Sequence, residues 1–328
     1  MSAGRPVLVV LYKDDLPDCL PLIEAAAEVR YVRAAELAGA MPGADALLLW
    51  DFFSSAVEDV WAHADSLKWI HVAAAGVDKL LFDGLRQSGV IVTNSRGIFD
   101  RPIAEFVLGS ILAMAKDLPG SLRRQQNGVW EHRENERIDN ARALVVGTGS
   151  IGRETARLLR AVGMRVEGVG RTSRTDDVDF TTVHASADLA AVVGRHDYVV
   201  LIAPLTDATR GLVDAAVLAA MKPTARLVNV GRGELVHEDA LADALGRGII
   251  AGAALDVFST EPLPATSPLW RMENVLISAH LSGDATGWLE RLSALFADNF
   301  ERYAAGAELL NVVDKELGFV PAGGQRIG

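Results

Sequence analysis

Apolar residues along this 328-residue chain fall into two alternating periods. Short apolar runs at 7–12, 46–50, 69–72 and 90–93 read as buried strands, while 20–27 and 57–64 repeat Leu, Ile, Val and Ala at helical spacing. The alternation resumes with strand-like runs at 164–169, 198–203, 226–230, 249–255 and 275–278 and helix-like stretches at 215–221 and 238–245. Strand and helix in turn predict parallel sheets with helices on both faces. Between the two halves, Arg101-Pro102 opens a strongly apolar helix over 103–115, with proline in the first turn, where its missing N–H does no harm. A long buried helix suits a domain junction. After Pro119-Gly120 the stretch 121–140 is dense in Arg, Gln, Glu and Asn around Trp130, and reads either as an arm or dimer contact or as a solvated loop.

The pattern is sharpest at Ala143-Leu-Val-Val-Gly147-Thr-Gly149-Ser150-Ile151-Gly152, where an apolar strand runs into Gly-x-Gly-x-x-Gly and then a helix. Gly147 allows the turn, Gly149 lets the backbone approach a pyrophosphate, and Gly152 lets helix pack on strand. The N–H groups of Ser150, Ile151 and Gly152 would then face the phosphates, so the predicted ligand is a dinucleotide. With 30 glycines in the chain the spacing alone is weak, and a looser copy stands at Gly246-Arg-Gly248-Ile-Ile-Ala251. That copy follows a helix and precedes a strand, so its glycines sit at the wrong end for anions.

Composition narrows the class. The length fits about two domains, and 50% apolar residues suffice for sizeable cores. A net charge of −11 with scattered arginines disfavours a nucleic-acid or anionic-membrane surface. Cys19 is the only cysteine, which excludes disulfides within the chain and fits a reducing compartment. No signal pattern opens the sequence, and the apolar stretch 103–115, interrupted by Glu105, falls short of the ~20 residues of a membrane span. A cytoplasmic protein is expected, with the Gly-rich tail 321–328 disordered.

In parallel sheets ligands bind at the carboxyl ends of the strands, and several ends here carry chemistry. The second strand of the Gly-rich unit ends in Gly170-Arg171-Thr172-Ser173-Arg174. An NAD site would place Asp or Glu here for the ribose 2′-OH, whereas two arginines assisted by two hydroxyls suit the 2′-phosphate of NADP(H). Two ordinary surface arginines are the plainer alternative. Arg232 sits between Gly231 and Gly233 directly after an apolar strand, and its planar fork could grip a carboxylate. Glu261 precedes Pro262 in a turn, and His280 follows a strand. A carboxylate bonded to one imidazole nitrogen fixes the tautomer and leaves the other nitrogen to trade a proton with substrate. Taken singly, His280 could equally be a satisfied structural histidine and Glu261 a surface turn residue. The remaining six histidines show no metal-ligand spacing, so no metal is expected. The loop Ala73-Ala74-Ala75-Gly76 reads by itself as a tight turn.

These motifs carry a resemblance over nearly the whole chain to the D-isomer-specific 2-hydroxyacid dehydrogenases. The residues involved include the fingerprint, Pro204-Leu-Thr-Asp-Ala-Thr-Arg-Gly-Leu212, Met221-Lys-Pro223, Leu227-Val-Asn-Val-Gly-Arg-Gly-Glu-Leu-Val236, Ala253-Ala-Leu-Asp-Val-Phe258, Glu261-Pro-Leu-Pro264, Ser267-Pro-Leu-Trp270 and Ala279-His280. Within the family Ala46-Leu-Leu-Leu-Trp50, Ala74-Ala-Gly-Val-Asp78, Gln125-Gln126 with Trp130, and Arg171-Thr-Ser-Arg174 are most similar to the NADPH-dependent glyoxylate/hydroxypyruvate reductases.

The resemblance implies that a Rossmann cofactor domain, residues 101–284, is inserted into a flavodoxin-like substrate domain of residues 1–100 and 285–328. A helix over 285–305 would return the chain to the latter, with catalysis in the cleft. It implies that Arg232 binds the substrate carboxylate and polarises the keto oxygen, that His280 supplies the proton, and that Glu261 supports His280. It turns the 73–76 loop into a carboxylate site through the N–H groups of Ala74, Ala75 and Gly76, with Trp50 nearby. Asp256 and Gly283 would contact the nicotinamide end, with Ala203, Pro204, Thr209, Val230 and Gly231 along the cofactor. It further implies a homodimer through the cofactor domain. Ala279 stands where the family usually has proline. Two other classes share the likeness: a non-catalytic dinucleotide-sensing corepressor-like protein, and a formate-oxidising enzyme, in which Gln would be expected in place of Glu261.

Overall fold

The computed structural model describes residues 5–321, so residues 1–4 and the tail from 322, expected to be disordered, lie outside the described residues. The chain divides into two compact units, Asp100–Asp284 and the residues on either side of that insert.

In the flanking unit, β1 (Val7–Leu11), β2 (Glu28–Val32), β3 (Ala46–Leu49), β4 (Trp69–Val72) and β5 (Ile91–Asn94) form one parallel sheet ordered β2-β1-β3-β4-β5. β3 and β4 are buried at every position, which is why they read as unbroken apolar runs. β2 was not among the expected strands. It is an edge strand whose alternating Glu28 and Arg30 pair with each other, so its sequence lacks a buried run. The Trp288–Ala305 helix packs in this unit. Phe296 and Tyr303 on that helix stack on Trp69 with ring centroids 5.6 and 5.1 Å apart.

The inserted unit holds β6 (Arg142–Val146), β7 (Arg165–Gly170), β8 (Arg174–Thr175), β9 (Thr182–Ala185), β10 (Tyr198–Leu201), β11 (Arg226–Asn229), β12 (Gly252–Leu255) and β13 (Val275–Ile277). Their order is β13-β12-β11-β10-β6-β7-β9-β8, with β8 antiparallel to β9 and every other pair parallel. The chain leaves β6 in one direction and returns on its other side at β10, the reversal that marks a dinucleotide crevice in doubly wound sheets. Because these strands run the same way, the loops after β6, β7, β10, β11, β12 and β13 emerge at one edge. Leu144, Val199, Leu227 and Ala253 fill the core behind them with no exposed surface.

Three expected elements are redrawn. The apolar run 249–255 becomes a strand only at Gly252, because the Ile249 N–H is taken by Ala244 O at 2.8 Å, closing the end of the Glu238–Gly246 helix. The stretch 57–64 splits into a short helix, Ala56–Asp59, and a tight turn, Trp61–His63. The stretch 121–140, read as an arm or a solvated loop, begins inside a helix, Leu118–Gln126, whose first turn holds Pro119-Gly120 and is capped by Asp117, whose carboxylate accepts from Gly120 N–H at 3.1 Å. Beyond that helix Trp130 is fully exposed.

Candidate active site

The site is built from the loops at that edge. After β6, Gly147 takes φ +113°, and a Cβ there would lie 2.6 Å from Ala203 N, so only glycine fits the turn. A Cβ on Gly152 would stand 1.9 Å from Gly147 O, whereas one on Gly149 would meet nothing within 4 Å. The turn is therefore tight on its inner side and open at Gly149. The Ser150–Ala161 helix begins there, and among the described residues no side chain caps its N-terminus. Three N–H groups and the positive end of the helix dipole suit a pyrophosphate, so the residues present fit a dinucleotide.

After β7, Arg171, Thr172 and Ser173 are exposed and Arg174 is half-buried. A Cβ on Gly170 would lie 3.7 Å from Arg174 Nη1 and 3.1 Å from Thr148 Oγ1, which puts that guanidinium over the strand end beside the fingerprint. The sequence had shown two arginines and no acid at this place. In the structure Arg174 Nε donates to Asp177 Oδ2 at 2.8 Å, and Arg153, on the fingerprint helix, grips both oxygens of the same carboxylate at 2.8 and 2.9 Å. Arg153, with Arg174 beside it, holds the Asp177 carboxyl well below the usual carboxylate range. Part of the Arg174 charge is thus answered within the protein, and Arg171 is the more exposed of the two residues.

The loop after β10 is closed by Thr209, whose hydroxyl accepts from Thr206 N–H at 2.8 Å and donates to Pro204 O at 2.7 Å. After β11, Asn229 folds the chain back on itself. Its Oδ1 accepts from Gly231 N–H at 3.1 Å and its Nδ2 donates to Arg232 O at 2.9 Å, while Arg232 Nη1 donates to Gly231 O at 2.8 Å. Asn229 went unnoticed in the sequence because it sits inside an apolar strand pattern. Gly233 must lack a Cβ, since one would lie 1.9 Å from the Phe258 carbonyl carbon. That close approach brings the Arg232 turn against the segment leading to Glu261.

Glu261 and His280 meet. Glu261 Oε2 lies 2.8 Å from His280 Nδ1, and Glu261 Oε1 accepts from Phe258 N–H at 2.9 Å. His280 has φ +52°, a left-handed conformation that costs a non-glycine residue energy. Asp256 holds it there. The fully buried Asp256 carboxylate accepts from Ser278 Oγ at 2.6 Å, Leu281 N–H at 3.0 Å and Ser282 N–H at 2.9 Å, and the Asp256 carbonyl accepts from His280 N–H at 2.8 Å. Ser278 was another residue the sequence did not single out. Asp284, close by, has its carboxyl pushed up by burial, with the Asp256 charge adding and His280 opposing.

In the flanking unit, β4 leads into residues 73–76, where Ala74, Ala75 and Gly76 are partly exposed; Trp50, after β3, is buried. Among the described residues no group of three or more His, Cys, Asp or Glu could hold a metal ion, and no helix is long and apolar enough to cross a membrane. Cys19 is buried, with its N–H on Ser293 Oγ at 2.9 Å.

An imidazole oriented by a carboxylate and a guanidinium on the neighbouring turn lie at the edge that holds a dinucleotide fingerprint, chemistry that could serve a proton transfer and an anion grip. Comparison with known proteins gives the family. Residues 108–282 match the D-isomer specific 2-hydroxyacid dehydrogenase, NAD binding domain. Glyoxylate reductase of Thermofilum pendens is 32% identical over 281 residues, covering 83% of this chain and 82% of that protein. The crystal structure of a D-isomer specific 2-hydroxyacid dehydrogenase of Xanthobacter autotrophicus in complex with NADPH and MES superimposes with a TM-score of 0.82 at 32% identity, covering 96% of this chain and 100% of that one. An NADPH-dependent glyoxylate/hydroxypyruvate reductase of Sinorhizobium meliloti, in complex with NADP and malonate, gives 0.81 at 28% identity over 97% and 99%. The chain belongs to the D-isomer specific 2-hydroxyacid dehydrogenase family of oxidoreductases.

Proposed function

We propose that this enzyme uses NADPH to reduce a small 2-oxo acid, with glyoxylate or hydroxypyruvate first, to the corresponding 2-hydroxy acid. The observation that carries the reading is the 2.8 Å bond between Glu261 and His280 Nδ1 at the fingerprint's own sheet edge. With Nδ1 on the carboxylate, His280 Nε2 delivers the proton to the substrate oxygen. Arg232 binds the substrate carboxylate and draws electron density from the keto oxygen. Ala74, Ala75 and Gly76 offer N–H groups to the carboxylate, and Trp50 bears on the substrate side chain.

When bound, the reduced nicotinamide supplies a hydride to the substrate's C2. Gly147, Gly149, Ser150, Ile151 and Gly152 hold the pyrophosphate, with Ala203, Pro204, Thr209, Val230 and Gly231 along the cofactor and Asp256 and Gly283 at its nicotinamide end. Arg171 and Arg174, with Thr172 and Ser173, support NADP(H) over NAD(H), because a 2′-phosphate needs cations where an NAD site needs a carboxylate. The inserted unit serves the cofactor and the flanking unit the substrate. A homodimer through the inserted unit would cover Trp130, and a cytoplasmic setting suits the single cysteine.

The deciding experiment follows absorbance at 340 nm with NADPH and NADH across a panel of 2-oxo acids. Turnover of glyoxylate or hydroxypyruvate with NADPH is expected. NADPH binding with no turnover of any 2-oxo acid would overturn the catalytic reading in favour of a dinucleotide sensor.

A further inference from the structure

Two successive carbonyls of the 73–76 loop are held from the same side. Ala74 O accepts from Ser95 N–H at 2.9 Å, and Ala75 O accepts from Asn94 Nδ2 at 2.6 Å. Both donors stand at the end of β5. A trans peptide is planar, so the N–H on each peptide points opposite to its C=O. The N–H groups of Ala75 and Gly76 belong to those same two peptides and therefore both point away from β5. In an extended segment successive peptides face opposite ways, so this arrangement has to be enforced. Two neighbouring N–H groups turned one way make a concavity suited to an anion.

The enforcing side chain is itself fixed. Asn94 is 3% exposed, and its Oδ1 accepts from Arg96 N–H at 3.2 Å, which leaves Nδ2 to face Ala75. Its backbone is clamped by Asn311, which accepts from Asn94 N–H through its carbonyl and donates from Nδ2 to Asn94 O, each at 3.2 Å. Ser95 is held as firmly, its hydroxyl donating to Val72 O at 3.0 Å. Among the described residues, the donor to Ala74 O is a backbone group, Ser95 N–H. The direction of the Gly76 N–H thus depends on one amide.

We propose that Asn94 is a positioning residue for the substrate carboxylate, aiming the Gly76 N–H, and with it the concavity, at the anion. This rests on the reading of residues 74–76 as the carboxylate's partner. The probe is oxamate, a stable mimic of a 2-oxo acid. Asn94→Asp keeps the size but sets a carboxylate oxygen against Ala75 O. It should raise the oxamate inhibition constant and the glyoxylate KM about tenfold, the scale of one lost hydrogen bond to a charged group. The fall in kcat should be smaller, with the NADPH KM within about twofold of the parent, a split that general loosening of the fold would not produce. Asn94→Ser, smaller and still polar, is the second variant in case the first does not fold. Unchanged oxamate binding in a folded variant would overturn the proposal. Ala75→Pro, which deletes one of the two N–H groups, separates the two levels. If it leaves oxamate binding intact, the carboxylate reading of the loop falls. If it weakens oxamate while the Asn94 variants do not, only the positioning role falls.

Discussion

Glu261 Oε2 sits 2.8 Å from His280 Nδ1, although 19 residues separate them and His280 occupies a left-handed backbone conformation. The pair is held from both ends, by Phe258 N–H on the other oxygen of Glu261 and by the Asp256 carboxylate on the loop that carries His280. Nδ1 of the imidazole is therefore committed to the carboxylate, and in the proposed reading Nε2 serves the substrate.

That division of labour sets the first prediction. His280→Ala should lower kcat/KM for the 2-oxo acid by about 10²–10⁴-fold, the weight of a general acid. Glu261→Ala should cost less, roughly 10–10²-fold, because the ring loses its tautomeric and rotational hold but stays present. In a His280→Ala background, Glu261→Ala should add almost nothing. Steady-state rates of the two single variants and the double variant decide it, and additive losses would mean that Glu261 acts on its own account.

The glycines around Arg232 should behave differently from each other. A Cβ on Gly233 would lie 1.9 Å from the Phe258 carbonyl carbon, which cannot yield without moving the segment that carries Glu261. Gly233→Ala should therefore lower the melting temperature by several degrees, the effect of about 1–3 kcal/mol of overpacking, and lose most activity. On Gly231 the nearest atom to a Cβ is Leu235 Cδ1 at 2.8 Å, the far end of a flexible side chain. Gly231→Ala should stay within about 1 kcal/mol of the parent. Thermal melts of the pair test the contrast.

Cofactor choice gives a third outcome. Arg171→Ala should raise the KM for NADPH about tenfold or more and leave that for NADH nearly unchanged, because only the former carries a 2′-phosphate. Arg174→Ala should weaken NADPH as well, and also release Asp177 from one of its two arginine partners. Equal effects of Arg171→Ala on both cofactors would remove the phosphate clamp.

Much of this was legible before any coordinates. The fingerprint, Arg232, Glu261 and His280 could be read because strand ends in parallel sheets leave polar residues behind apolar runs, and because Gly147 and Gly152 have no substitutes where a Cβ has no room. What escaped was polarity hidden inside such runs. Asn229 ends a buried strand and Asn94 another, and each looks like an interruption until its hydrogen bonds are seen. The Arg174–Asp177 pairing escaped for a different reason: three residues in a turn can face any way, and β8, only two residues long, has no pattern to give it away.

His71 offers a test that does not involve catalysis. It is fully buried on β4. Trp69 Nε1, which can only donate, gives its hydrogen to Thr93 Oγ1 at 2.9 Å, and His71 Nδ1 shares that hydroxyl at 2.8 Å. His71 Nε2 lies 3.5 Å from Ser95 Oγ. Its neighbours include these hydroxyls and the rings of Trp69 and Phe296, and burial pushes the imidazole down from 6.5 to about 3. Below pH 6.5 the unfolded chain takes up a proton that the folded chain refuses until about pH 3. This contribution to stability is therefore fully present above pH 6.5 and is lost as pH falls through that window, by up to about 1.4 kcal/mol per pH unit. His71→Gln, which cannot titrate, should be less stable at neutral pH yet lose less stability between pH 6.5 and pH 4 than the parent. Denaturant melts at each pH would show it, and parallel curves for parent and variant would mean that His71 is protonated in the folded protein.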